Sequence, residues 1–239
     1  MLSVNNLSLA VGEKEILDQV SLDFVLGKNY CVLGRNGSGK SSLAMAIMGH
    51  PNYEITHGDV LLDGESLLEM EPNERAKLGI FLAFQNVPEI PGIKFFEFLK
   101  GVYDNAHDTV TTFLGFKALI EPILDELQIS KEFLWRDLNV GFSGGERRKF
   151  EILQMKLLKP KYIILDEIDS GLDVDAFKVV AGLVSELDSP ENSFIIITHI
   201  FSILDHLPVD EVIVMKEGRV AQTGDKSLVE TIKVEGFGE

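Results

Sequence analysis

The sequence predicts an α/β fold, with an N-terminal antiparallel β subdomain and an inserted helical subdomain, from three observations. Apolar strand patterns at residues 162–165, 193–197 and 211–215 are separated by helical segments, which implies parallel pairing through right-handed crossovers. The first 30 residues alternate at period two between turn glycines. From about residue 86 to 158 prolines break the chain and long helical patterns follow. The expected organisation is one domain over 1–239, with an α/β core from 1–85 and 159–239 and a helical subdomain at 86–158.

Leu2 and Val4, then Leu7, Leu9 and Val11, alternate as a strand, and Val20, Leu22 and Phe24 do so again, with Gly12 and Gly27 marking turns. Residues 29–34 read as an apolar strand, and 43–48 as a buried helix stopped by Gly49. Pro72 opens a short helix reaching Leu78, and 80–84 is a buried strand. Pro88 and Pro91-Gly92 interrupt the chain before helical patterns that include residues 118–127.

Composition excludes whole classes. Of the 239 residues, 45% are apolar and 25% charged, which is ordinary for a globular protein and opposes global disorder. The net charge of −16 opposes nucleic acid or an anionic membrane as the main partner, because both attract basic surfaces. The single cysteine, Cys31, sits in an apolar run and reads as a buried strand residue; alone it can hold neither a disulfide nor a cluster. With no leader pattern and no apolar run of spanning length, the expectation is a cytoplasmic protein that does not insert into membranes.

Gly34-Arg35-Asn36-Gly37-Ser38-Gly39-Lys40-Ser41 fits the spacing of a phosphate-binding loop, with Ser42 following and the expected strand and helix on either side. The glycines let successive N–H groups face phosphate oxygens at the positive end of the helix. Lys40 supplies charge to the β- and γ-phosphates, and the Ser41 hydroxyl is a Mg²⁺ ligand. A second strand ends in Asp166 and Glu167, whose side chains leave on opposite faces and so take different roles. Asp166 is placed to steady the Mg²⁺ hydration shell, and Glu167 to orient an attacking water. Ser143-Gly144-Gly145-Glu146 opens a third key helix with a capping-box pattern. Capping explains Ser143 and Glu146 but not two glycines in a first turn, where they weaken a helix; close approach to phosphate explains them.

These pieces, in this order and over essentially the whole chain, resemble the ATP-binding cassette ATPases. The resemblance adds Gln85, after a strand, as the residue linking the Mg²⁺ site to the helical subdomain. It adds His199, after Ile197-Thr198, as a contact to the γ-phosphate, and it places Ser170-Gly171-Leu172-Asp173 in family order. The catalytic set it implies is Glu167, His199 and Lys40. ATP and Mg²⁺ are the implied cofactors, and ATP-dependent self-association, head to tail, is the implied assembly.

Within that family, Asn52-Tyr53-Glu54-Ile55-Thr56-His57-Gly58, residues 79–92, 139–152 and 165–176, and Val234-Glu235-Gly236-Phe237-Gly238 are similar to the SufC branch. That branch comprises the ATPases of iron–sulfur cluster assembly, which implies SufB/SufD-like scaffold partners. Val11 falls where the wider family places an aromatic ring against adenine, and Glu146 stands where many transporters have glutamine. The alternative is the ATPase subunit of a membrane transporter. A coiled-coil DNA-repair ATPase is opposed because only 57 residues, without heptads, separate Gln85 from Ser143. Among Phe95, Phe96 and Phe98, an exposed ring is a candidate anchor for a partner.

Overall fold

The computed structural model describes residues 1–168, 172, 174–198, 201, 204 and 208–236, with the side chains of Val174 and Glu235 excepted. The chain divides into two compact units. One comprises residues 1–84, 160–169 and 188–239; the other comprises 85–159 and 170–187.

In the first unit, period-two alternation gives β1 (Leu2–Val11) and β2 (Lys14–Phe24), paired antiparallel. β3 (Tyr30–Leu33) is buried at every residue, as an interior parallel strand must be. It runs into α1 (Lys40–Met48), which stops at Gly49 in the left-handed region. β4 (Glu54–Leu62) and β5 (Glu65–Ser66) complete a four-stranded antiparallel sheet in the order β2-β1-β4-β5. α2 (Pro72–Lys77) begins with proline, as its sequence predicts.

The larger sheet has the order β12-β11-β3-β10-β9-β6 among the described residues. β6 (Ile80–Ala83), β9 (Tyr162–Asp166), β10 (Ser193–Ile197), β3 and β11 (Glu211–Lys216) are parallel, and β12 (Arg219–Gly224) returns antiparallel along the edge. α7 (Ser227–Glu235) follows. Leu2, Leu9, Val20, Val32, Ile47, Ile164 and Ile195 belong to one buried cluster that both sheets share with α1. Cys31 is buried in β3, as the sequence implies.

The second unit holds β7 (Ile90–Lys94), α3 (Phe95–Ala106), α4 (Phe113–Glu126), a 3₁₀ turn at Lys131–Trp135, β8 (Asp137–Leu138), α5 (Gly144–Leu158) and α6 (Val174–Leu187). Phe95, Phe116, Phe150 and Phe142 are buried in its core, with Phe95 and Phe150 ring centroids 4.2 Å apart. The sequence pattern misses five strands. β4 and β5 lack clean alternation, β12 is mostly solvent-facing, β7 is interrupted by Pro91, and its partner β8 is only two residues long. Among the described residues, no helix is long and apolar enough to cross a membrane.

Candidate active site

The phosphate loop joins β3 to α1, so the helix N-terminus points back over the sheet's carboxyl edge. Steric crowding explains its glycines. A Cβ at Gly34 would lie 2.4 Å from Met215 O, and Gly39, at φ 100°, would bring one within 2.6 Å of Leu17 Cδ2. Lys40 is buried, and its Nζ donates to Gly34 O at 2.8 Å and Arg35 O at 3.1 Å, curling the loop around the ammonium. Burial pushes the Lys40 pKa down, while Glu167 and Asp166 push it back up. Those opposing influences put the lysine and both carboxylates in one electrostatic neighbourhood.

Ser41 Oγ donates to Asp166 Oδ1 at 3.0 Å across 125 residues of sequence. Asp166 ends β9 and is 1% exposed, so a deeply buried carboxylate faces a hydroxyl at the loop's end. This donor set fits Mg²⁺, which takes few protein oxygens and completes its octahedron with water and phosphate. Among the described residues, no group of three or more His, Cys, Asp or Glu could hold a metal ion.

Glu167 is buried at φ 47°, a left-handed backbone that costs a non-glycine residue roughly 1–2 kcal/mol. Its N–H donates to Ile197 O at 2.9 Å, fixing that turn against β10. Sequence spacing could not reveal this strain. Ser38 Oγ is buried without a hydrogen bond to any described residue. Arg35, Asn36, Gly37 and Ser38 form one side of a cavity of about 170 Å³ whose other side is Met215, Lys216 and Glu217. Ser42 is half-buried in the first turn of α1. Val11 is exposed at the end of β1, an apolar surface without a ring.

In the second unit, Ser143 caps α5 as expected. Its N–H donates to Glu146 Oε2 at 2.7 Å, and its Oγ accepts from Glu146 N at 3.3 Å. Glutamate at position 146 is therefore occupied in the cap, a role glutamine would fill equally. Ser143 and Gly144 are exposed. Among the described residues, a Cβ at Gly145 would meet only Ala176 Cβ, at an ordinary 3.6 Å. Gln85 is exposed at the start of this unit, and its carbonyl accepts from Arg148 Nη2 at 3.1 Å. His199, Ser170, Gly171 and Asp173 lie outside the described residues, as do Phe237 and Gly238.

Of the three α3 aromatics, none is the exposed anchor that the sequence allowed for. Phe95 and Phe96 are buried, and Phe98 is half-buried, because α3 turns them into the core. The exposed rings of this unit are Phe113 and Trp135, stacked at 5.9 Å, which sequence spacing did not single out.

The model of the ABC transporter family matches residues 17–170 of this chain. A probable ATP-dependent transporter of Synechocystis is 43% identical over 99% of this chain and 94% of its own length. A probable ABC transporter ATP-binding protein of Streptococcus pyogenes is also 43% identical, over 99% of this chain and 93% of its own length. In fold, the chain is similar to the ATP-binding cassette MJ0796, solved as a dimer bound to ADP and Pi. The TM-score is 0.80 at 20% identity, covering 94% of this chain and 98% of that one.

Proposed function

Since the chain belongs to the ABC transporter family and is an ATPase, we propose that it works as a SufC-type motor, driving conformational change in an iron–sulfur cluster assembly scaffold. The observation that carries the branch assignment is the run of residues at 79–92 and 139–152, which resembles that branch and surrounds Gln85 and the signature. One cysteine, buried in β3, leaves cluster ligation to partners of the SufB/SufD kind.

Two copies face head to tail. In one, residues 34–42 hold ATP, with the loop N–H groups on phosphate oxygens and Lys40 on the β- and γ-phosphates. Ser41 and Asp166 would hold Mg²⁺, which would supply charge neutralisation to the phosphates, and the family resemblance implies a metal role for Gln85. Ser143-Gly144-Gly145 of the second copy, exposed at Ser143 and Gly144, closes over the γ-phosphate with its helix N-terminus. The carboxylate of Glu167 accepts a hydrogen bond from the attacking water and orients it in line, and His199 steadies charge on the transferred phosphoryl. Hydrolysis removes the bridge between copies and moves whatever the helical unit holds.

A second reading, the ATPase subunit of a membrane transporter, is favoured by the printed names of the relatives above. Depleting the chain in its own cell separates the two. The proposed function predicts a broad fall in iron–sulfur enzyme activities; unchanged activities alongside loss of one transport process would replace it with the second reading.

A further inference from the structure

Two consecutive arginines in α5 have no part in the phosphate chemistry, yet both reach the chain that follows Gln85. Arg148 is 4% exposed; its Nη1 donates to the buried Glu151 carboxylate at 2.6 Å and its Nη2 to Gln85 O at 3.1 Å. Arg147 donates through Nε to Phe142 O at 3.1 Å, through Nη1 to Val87 O at 3.4 Å, and through Nη2 to the Glu89 carboxylate. Asn139 Nδ2 adds a bond to Pro88 O at 2.9 Å. Residues 85–89 have no regular secondary structure, so these bonds fix their path. A buried guanidinium is costly unless paired, and its rigid fork transmits direction as well as charge.

We propose that Arg148, oriented by Glu151, is a positioning residue that locks Gln85 to the signature helix, so that the two move as one body through the ATP cycle. The anchor lies five residues after the Ser143 cap, within the opening turns of α5, so displacement of Gln85 is passed to the helix end that meets phosphate. Arg147 holds the same stretch at a second point, which prevents it from pivoting about the first. The inference rests on the reading of Gln85 as part of one ATP site and of the same chain's signature as part of the other.

The test is a double-mutant cycle in steady-state ATPase, using Arg148→Gln, Gln85→Ala and both together. Arg148→Gln should lower kcat about tenfold or more while KM for ATP stays within about threefold, and Arg148→Lys should restore part of the loss. In the Gln85→Ala background, Arg148→Gln should cost under about twofold, because the lock then has nothing to position. An equal loss in both backgrounds, or an unchanged kcat, overturns the proposal. If Arg148→Gln does not fold, Glu151→Gln runs the same cycle with the same criteria. ATP-dependent association of Glu167→Gln copies, measured by light scattering, tests the underlying cycle separately. Its absence removes the ATP sandwich for the isolated chain, whereas an additive cycle sinks only the lock.

Discussion

Replacing Arg75 by methionine removes a buried charge while keeping most of the stem volume, and its effect can be worked from the bonds it breaks. Arg75 is 2% exposed, and burial pushes its pKa below the ordinary value, with Asp59 and Glu71 opposing. Its Nη1 donates to Ala46 O and Ile47 O at 2.9 Å each, and its Nε to Met70 O at 3.0 Å. Ala46 and Ile47 belong to the last turn of α1, whose carbonyls have no partner within the helix. Gly49 N also reaches Ala46 O, so Ile47 O and Met70 O lose most. Each buried carbonyl left bare costs about 1–3 kcal/mol, and a cation at a helix C-terminus contributes about 0.3–1 kcal/mol more. The expected loss is about 3–5 kcal/mol, a large part of the roughly 5–15 kcal/mol that holds a domain folded. Urea unfolding followed by circular dichroism should show the midpoint falling by about 1–2 M with m unchanged. A midpoint within about 0.2 M of wild type would refute the claim that Arg75 caps the phosphate-loop helix.

Lys40→Ala should abolish useful ATP binding or turnover, since the loop loses its lysine; wild-type ATPase activity in that variant would overturn the assignment of residues 34–41. Glu167→Gln should keep ATP binding and nearly stop hydrolysis, so that ATP accumulates between two copies; no gain in dimer with ATP would remove the sandwich for the isolated chain. Because burial lowers the Lys40 pKa below 10.5, the unfolded chain binds that proton more tightly, and the resulting stability cost is present at neutral pH and fades as pH rises towards 10.5. Wild type should therefore gain stability relative to Lys40→Met as pH rises towards 10.5, and a constant gap would contradict the buried-ammonium account. Substituting Glu89 and Ile90 should weaken scaffold binding and leave ATP binding by the phosphate loop intact; since Glu89 also pairs with Arg147, ATPase must be read alongside, and unimpaired scaffold binding would move the docking surface elsewhere.

The phosphate loop, the acid pair and the Ser143 cap were legible because each is local: glycines, a strand end and a capping box declare themselves within a few residues. The interior strands declared themselves as continuous apolar runs. Arg75 and Arg148 stayed hidden because the contacts that matter, to Ala46 and Ile47 and to Gln85, lie 28 or more and 63 residues away, and buried arginines look like surface ones in sequence. The ring pair of Phe113 and Trp135 was missed for the same reason. Glu167's left-handed turn leaves no compositional trace, because glutamate is not a residue that seeks it. β8 escaped because a two-residue strand carries no periodicity, and β7 because Pro91 and Gly92 interrupt its five residues.

The central claim concerns what the ATPase moves, and isolation of the chain with its native partner tests it most directly. The chain should be tagged in its own cell, captured without detergent under anaerobic conditions, and the bound proteins identified with their iron and sulfide content. The account predicts a stoichiometric complex with a scaffold protein that carries iron–sulfur chemistry, released or rearranged by ATP. Recovery chiefly with an integral membrane permease, and only when detergent is present, would contradict it.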